Sequence, residues 1–205
     1  VEREFHRRGA AVQVELSSLA DPSIGELLTG RGYRFVGVES ILGCSLAAGV
    51  PQESDHVCDA AIRESPLDEM STWIDVLVTS FESPDAQGVA SREEFPRDAL
   101  TRDIGDMARL SGFQRFMATR DDRPAGAASM RLTEGLMQLC GAATLPDDRR
   151  RGVQGALLDH RLAAGRDAGC ELAVVTTQPG SKSQQNVQRK GFELLYTRAV
   201  LLLEP

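Results

Sequence analysis

The sequence predicts a mixed α/β (α+β) fold, a sheet packed between helices, and three observations carry that expectation. From residue 56 onward, runs of strand-like alternation and runs with a helical apolar stripe follow one another in the order βααβββαβαβ. The segment 170–177, CELAVVTT, has the continuous apolar character of a strand buried on both faces. A hydrophobic content of 41% in 205 residues is ample for the core of one ordinary domain with an extra piece, or of two small ones.

The elements can be justified in order. The opening VEREFHRRG reads as the last turns of a helix running into a glycine stop, which implies chain upstream of Val1 in the native protein. Residues 11–16, AVQVEL, alternate as a half-buried strand. Asp21 then caps a short helix with Pro22 at its first position, running through Ile24, Leu27 and Leu28 to Gly30 and Gly32. Phe35, Val36, Val38, Ile41 and Leu42 mark a second strand, and 47–55 has linker composition.

A new unit begins near 56, with a strand over 56–63. After Ser65-Pro66 comes a helix whose stripe is Met70, Trp73, Ile74, Leu77 and Val78. A polar loop spans 82–92, and a helix covers about 96–110. Strands follow at 113–119, 124–132 and 136–145, parted by turn signals at Asp121-Asp122 and Glu134-Gly135. A helix over 153–167 turns Val153, Ala156, Leu157 and Leu162 inward and stops at Gly169. Beyond the strand 170–177, Gln178-Pro179-Gly180 breaks the chain, a short helix runs over 181–190, and 192–203 is the final strand.

Bulk properties exclude several classes. A net charge of −7 and a pI near 5.1 argue against general affinity for nucleic acid or anionic membrane. No apolar run approaches the roughly 18 residues that span a bilayer, and no signal-peptide pattern opens the chain. Cys44, Cys58, Cys140 and Cys170 lie far apart, as do His6, His56 and His160, so no metal site is expected. The cysteines read as reduced core residues of a cytoplasmic protein, a monomer or homodimer.

The stretch TLPDDRRRGVQGALL, residues 144–158, carries the chemistry. It follows a strand and opens a helix, where backbone N–H groups lack intrahelical partners and the dipole favours negative charge. Glycine lets an anion approach the backbone closely. Arg149, Arg150, Arg151, Gly152 and Gly155 therefore suit a pyrophosphate, although an exposed arginine run is an equal reading on these grounds alone. The spacing is neither a P-loop nor a dinucleotide fingerprint.

Arg149-x-x-Gly152, placed after a strand and before an apolar helix, resembles the acetyl-CoA-binding motif Gln/Arg-x-x-Gly-x-Gly/Ala of the GNAT acetyltransferases. The strand AVVTT, the helix SKSQQNVQRK and Gly191-Phe192 match the continuation of that pattern. The resemblance covers about 56–205 in element order, with its specific motifs within 140–192. It implies a mostly antiparallel twisted sheet flanked by helices, whose splayed central strands hold coenzyme A. It further implies acetyl-CoA as acyl donor, with the pyrophosphate facing backbone N–H groups from Arg151 through Val153, Gln154 and Gly155 to Ala156. Ala142 and Thr144 match the strand end that bonds pantetheine, and Ser183 and Asn186 lie on the helix flanking the thiol.

The departures bear on mechanism. Gln154 stands where the motif has Gly or Ala. Val187 occupies the position at which the family often has a tyrosine acid. The strand 136–145 lacks the glutamate many members use as a base, offering Gln138 and Cys140 as polar groups; Glu134, in the preceding turn, is the nearest carboxylate. The expected activity is acetyl transfer from acetyl-CoA to a primary amine of a small acceptor. The alternative is a catalytically reduced acyl-CoA-binding or sensor module. Asp55, Asp59 and Glu64 hint at a cationic acceptor.

The pattern also echoes internally. RGYRFV, residues 31–36, parallels KGFELL, residues 190–195, and Gly9 precedes its strand as Gly169 precedes 171–176. Both segments read glycine, strand, short helix, glycine-aromatic, strand. Residues 1–46 are thus expected to be a degenerate partial GNAT-like half-unit without coenzyme A, 47–55 a linker, and 56–205 the acetyl-CoA-binding domain.

Overall fold

A computed structural model describes residues 1–47, 58–83, 89 and 96–205. It contains α1 (Glu2–Arg7), β1 (Val12–Ser17), α2 (Pro22–Gly30), β2 (Arg34–Ser45), β3 (Ala61–Glu64), α3 (Met70–Glu82) and α4 (Arg97–Met107). β4 (Phe113–Arg120), β5 (Arg123–Thr133), β6 (Leu136–Thr144), α5 (Val153–Asp167), β7 (Leu172–Thr177), α6 (Lys182–Gln188) and β8 (Glu193–Leu203) complete it. From β3 onward the order is the βααβββαβαβ that the sequence predicts.

The strands form one sheet in the order β1-β8-β2-β7-β6-β5-β4-β3. Every neighbouring pair is antiparallel except β6 and β7. The linker expected at 47–55 falls, from residue 48 on, outside the described residues, as does most of the loop at 82–92. The strand expected at 56–63 begins later, at Ala61, where pairing with Thr119 of β4 starts. The helix expected after Pro66 begins as a single 3₁₀ turn, Leu67–Glu69, before α3.

Two cores sit on opposite faces. One gathers Leu157, Leu158 and Leu162 of α5 with Ala173 and Val175 of β7, Val187 of α6 and Phe192. The other packs Trp73, Val76 and Leu77 of α3 and Ile104 of α4 under Met117 and Ala127. Trp73 is fully buried and its indole N–H donates to the Ala128 carbonyl at 3.2 Å, which pins α3 to β5. α5 lies close on the sheet because Gly126 and Gly165 have no side chains: a Cβ would meet Val153 at 3.0 Å in one case and clash with the Met137 sulfur in the other.

The N-terminal strands enter the same sheet reciprocally. β1 pairs with β8 and β2 lies between β8 and β7, so β1 does not pair with β2, nor β7 with β8. A small third core of Val12, Tyr33 and Leu201 underlies α2.

Candidate coenzyme A and acyl-transfer site

The parallel ladder between β6 and β7 runs only from Leu136↔Leu172 to Leu139↔Val175. Beyond it β6 continues to Thr144 and β7 to Thr177 without pairing to each other, so the two strands part toward their C-terminal ends. The β5–β6 register also shifts between the pairs Ala128↔Ala142 and Met130↔Leu139, leaving Cys140 and Gly141 as a bulge beside the split. Burial pushes the Cys140 thiol above its ordinary range, against the influence of Arg161 and Arg131.

The chain leaves the open end of β6 through a 3₁₀ turn, Pro146–Asp148, and then the three arginines. Gly152 is the N-cap of α5 with φ +80°, and no side chain caps the helix. A Cβ at Gly152 would lie 3.3 Å from that of Cys58 in a left-handed conformation that disfavours side chains. The Ala156 N–H donates to the Gly152 carbonyl at 3.0 Å and closes the first turn. The helix's own unbonded donors are therefore those of Val153, Gln154 and Gly155, and Ala156, the last of the run from Arg151 that the motif implies, is engaged within the helix. Val153 contributes only backbone here, since its side chain is buried at 1% exposure.

The arginines divide their tasks. Arg149 donates from Nε to the Thr144 carbonyl at 3.3 Å and from Nη2 to the carbonyls of Ser80, at 3.3 Å, and Ser83. It straps the motif loop to the end of α3, and this geometry uses its guanidinium on carbonyls. Arg150 adopts φ +63°, and the side chains of both Arg150 and Arg151 are exposed. Neither makes a hydrogen bond or ion pair among the described residues.

The loop is anchored by a charge network that sequence reading misses. Asp148, at 0% exposure, pairs with Arg120 at 2.7 Å and Arg123 at 2.6 Å, and Arg120 also holds Asp59 at 2.6 Å. The Arg123 guanidinium first, and Arg120 next, hold the Asp148 carboxyl below its usual range against the opposing effect of burial. Its signal in the sequence is faint: two arginines flank the Asp121-Asp122 turn, one of them beside an aspartate-rich loop 25 residues on. Arg161 was equally hidden. At 2% exposure on α5, it donates to the Leu157 and Ser129 carbonyls, each at 3.0 Å, and burial pushes its pKa down to about 10.

Other expected residues are dispersed. Ala142 packs at the edge of the α5 core and Thr144 ends β6 beside the split. Ser183 is exposed on α6, and Asn186 accepts from Arg189 at 3.1 Å. Glu134 sits exposed in the β5–β6 turn at φ +45°, at the opposite end of β6 from the cradle. Asp55 falls outside the described residues, Asp59 is engaged by Arg120, and Glu64 lies exposed on the edge strand β3.

No curated protein matches the sequence. Among solved structures, a GCN5-related N-acetyltransferase from Kribbella flavida shares 16% identity, with a TM-score of 0.71 over 100% of this chain and 72% of that one. A functionally unknown conserved protein from Staphylococcus epidermidis shares 14%, with a TM-score of 0.70 over 99% and 76%. A tandem GNAT protein from the clavulanic acid biosynthesis pathway shares 15%, with a TM-score of 0.64 over 98% and 67%. These likenesses speak to the fold. Residues 75–192 match the family described as Acetyltransferase (GNAT) family, a span from the middle of α3 to the corner after α6. The chain belongs to the GNAT acetyltransferase family.

Proposed function

We propose that the chain transfers an acetyl group from acetyl-CoA to a primary amine of a small acceptor by direct attack. The observation that carries this reading is the uncapped N-terminus of α5 at Gly152, set beside the open end of the β6/β7 ladder. The N–H groups of Val153, Gln154 and Gly155 would take the pyrophosphate, with Arg150 and Arg151 as exposed cations at its edge. The parted ends of β6 and β7 would receive the pantetheine arm, next to Ala142 and Thr144. Bound there, acetyl-CoA supplies a thioester carbonyl open to attack.

The chain's own part is positioning and electrostatics. Asp148 and Arg149 fix the loop from two sides, one through an ion network and the other through carbonyls at the end of α3. Arg161 places a buried positive charge under Ser129, across from the Cys140–Gly141 bulge, where it favours negative charge developing on an acyl oxygen. Residues 1–46 are a GNAT-like half-unit without a cofactor, whose strand β2 walls β7 and braces the split.

A second reading is favoured by two observations. Val187 is buried in the core at 5% exposure, and β6 carries no carboxylate, which suits a reduced acyl-CoA-binding or sensor module. Thiol release from acetyl-CoA with a panel of small amines separates them. Turnover with any primary amine supports the transferase. Tight binding without turnover on any amine supports the sensor.

A further inference from the structure

Two hydroxyls at the open end of the β6/β7 ladder, Thr144 Oγ1 and Thr177 Oγ1, are buried without a hydrogen-bond partner. Leaving a buried hydroxyl unpaired is costly, and native proteins rarely do so without a ligand or water to meet it. Thr177 ends β7 at 5% exposure. By strand alternation it shares the face of Ala173 and Val175, which pack with Leu157, Leu158 and Leu162 of α5. Thr144 stands opposite Gly126, where an added Cβ would meet Val153 and Leu157, so it lies on that face too. Both hydroxyls thus flank the split on the side of the uncapped helix. Among the described residues neither hydroxyl has a partner: Val187 and Phe192 belong to the apolar core on this face, and Ser40, the cross-strand neighbour of Thr177, does not bond it.

We propose that the Thr177 hydroxyl donates a hydrogen bond to the thioester sulfur as it leaves. This rests on the acetyl-CoA reading above. The acceptor nitrogen forms the C–N bond with the carbonyl carbon while the C–S electron pair passes to sulfur. The thiolate departs hydrogen-bonded to Thr177, which keeps its own proton, since an alcohol is far too weak an acid at neutral pH. The ammonium proton goes to solvent, and solvent protonates the thiolate. The device suits a chain in which Val187 can donate nothing: a thiol with a pKa near ~8–9 needs stabilisation more than a strong acid.

The test titrates the thiol of bound free CoA by ultraviolet thiolate absorbance in the wild type, Thr177→Val and Thr177→Ser, with calorimetry of CoA alongside. The bound thiol should ionise more readily in the wild type and Thr177→Ser than in Thr177→Val, by about one pKa unit or tenfold in the ionisation constant. For any amine that turns over, Thr177→Val should lower kcat with little change in KM for acetyl-CoA. Identical thiol titrations in wild type and Thr177→Val would overturn the assignment while leaving the CoA site standing. A lower melting temperature for Thr177→Val would also overturn it, because it would make the hydroxyl a structural partner. Failure of the wild type to bind CoA is a different result and overturns the reading of the site itself.

Discussion

In the N-terminal half, Gly9 at φ +65° leads into β1, Asp21 caps α2, and Gly32 at φ +93° turns the chain into β2. In the C-terminal half, Gly169 at φ +77° leads into β7, Ser181 caps α6, and Gly191 at φ +82° turns the chain into β8. The aromatic after each second glycine is buried: Tyr33 at 4% and Phe192 at 3%. Exchanging the halves leaves the strand order β1-β8-β2-β7 reading the same from either end. What differs is the helix before each half. α5 begins at Gly152 behind an anchored loop, with Arg150 and Arg151 at its N-terminal end, whereas α1 presents Arg7 and Arg8 at its C-terminal end, both paired with Glu4. Cations at a helix C-terminus meet a dipole that repels anions. Under the proposed function, the comparison teaches that one local design would serve as a wall in one half and as the lip of a binding site in the other. The preceding helix decides which.

Removing the anchor should separate the halves most strongly. Asp148→Asn leaves the buried Arg120 without half of its counter-charge and should cost about 3–5 kcal/mol in denaturant unfolding. No ion pair of α1 or α2 should approach that, since Arg7, Arg8 and Arg31 are all well exposed. The same carboxyl makes a pH prediction. Because its folded pKa is depressed, its stabilisation is present above the unfolded value of about 3.9 and is lost as pH falls through the lower folded value. The Asn variant should show a shallower loss of stability in acid than the wild type. An equally steep loss would contradict the network.

The corner ion pairs sharpen the contrast. Lys190 lies 2.5 Å from Asp159 with its side chain 9% exposed, although the angles are too poor for a hydrogen bond. At the corresponding corner Arg31 pairs with Glu2 while 53% exposed. Asp159→Ala should destabilise by about 1–3 kcal/mol because it strands a buried ammonium. Arg31→Met should shift the melting temperature at the edge of detection, as exposed pairs do. Equal losses at both corners would break the distinction between wall and site.

The glycine corners test sameness. Gly32→Ala and Gly191→Ala should each cost about 1–2 kcal/mol, since both require a left-handed backbone. At Gly32 the nearest atom to an added Cβ is Leu203 at 3.6 Å, so the cost there is conformational and not a clash. Unequal costs would mean that the two corners are not the same device.

Local chemistry made much of this legible. Gly152 and Gly169 bound α5, so the helix expected at 153–167 occupies Val153–Asp167. Asp21 and Pro22 likewise start α2 where capping rules place it. The start of β3 was obscure because Ala61–Glu64 is a four-residue edge strand defined by its pairing with β4 and not by alternation. The anchor at Asp148 joins residues 25, 28 and 61 positions apart in its several contacts, a juxtaposition created by the pairing of β3, β4 and β5. Arg149 is similar: its motif position is readable, but its bonds reach carbonyls 66 and 69 residues away. The interleaving of β2 between β7 and β8 also lies beyond local pattern, since a repeated strand–helix–strand string does not say which half supplies each neighbour.

The central proposal is that the start of α5 is a coenzyme A cradle, and calorimetric titration with acetyl-CoA tests it most directly. The wild type should saturate at one equivalent per chain. Gly152→Val places a branched side chain against Cys58 and across the path to the N–H groups of Val153, Gln154 and Gly155, and should weaken binding at least tenfold. Unchanged affinity in that variant, or two equivalents bound by the wild type, would contradict the account.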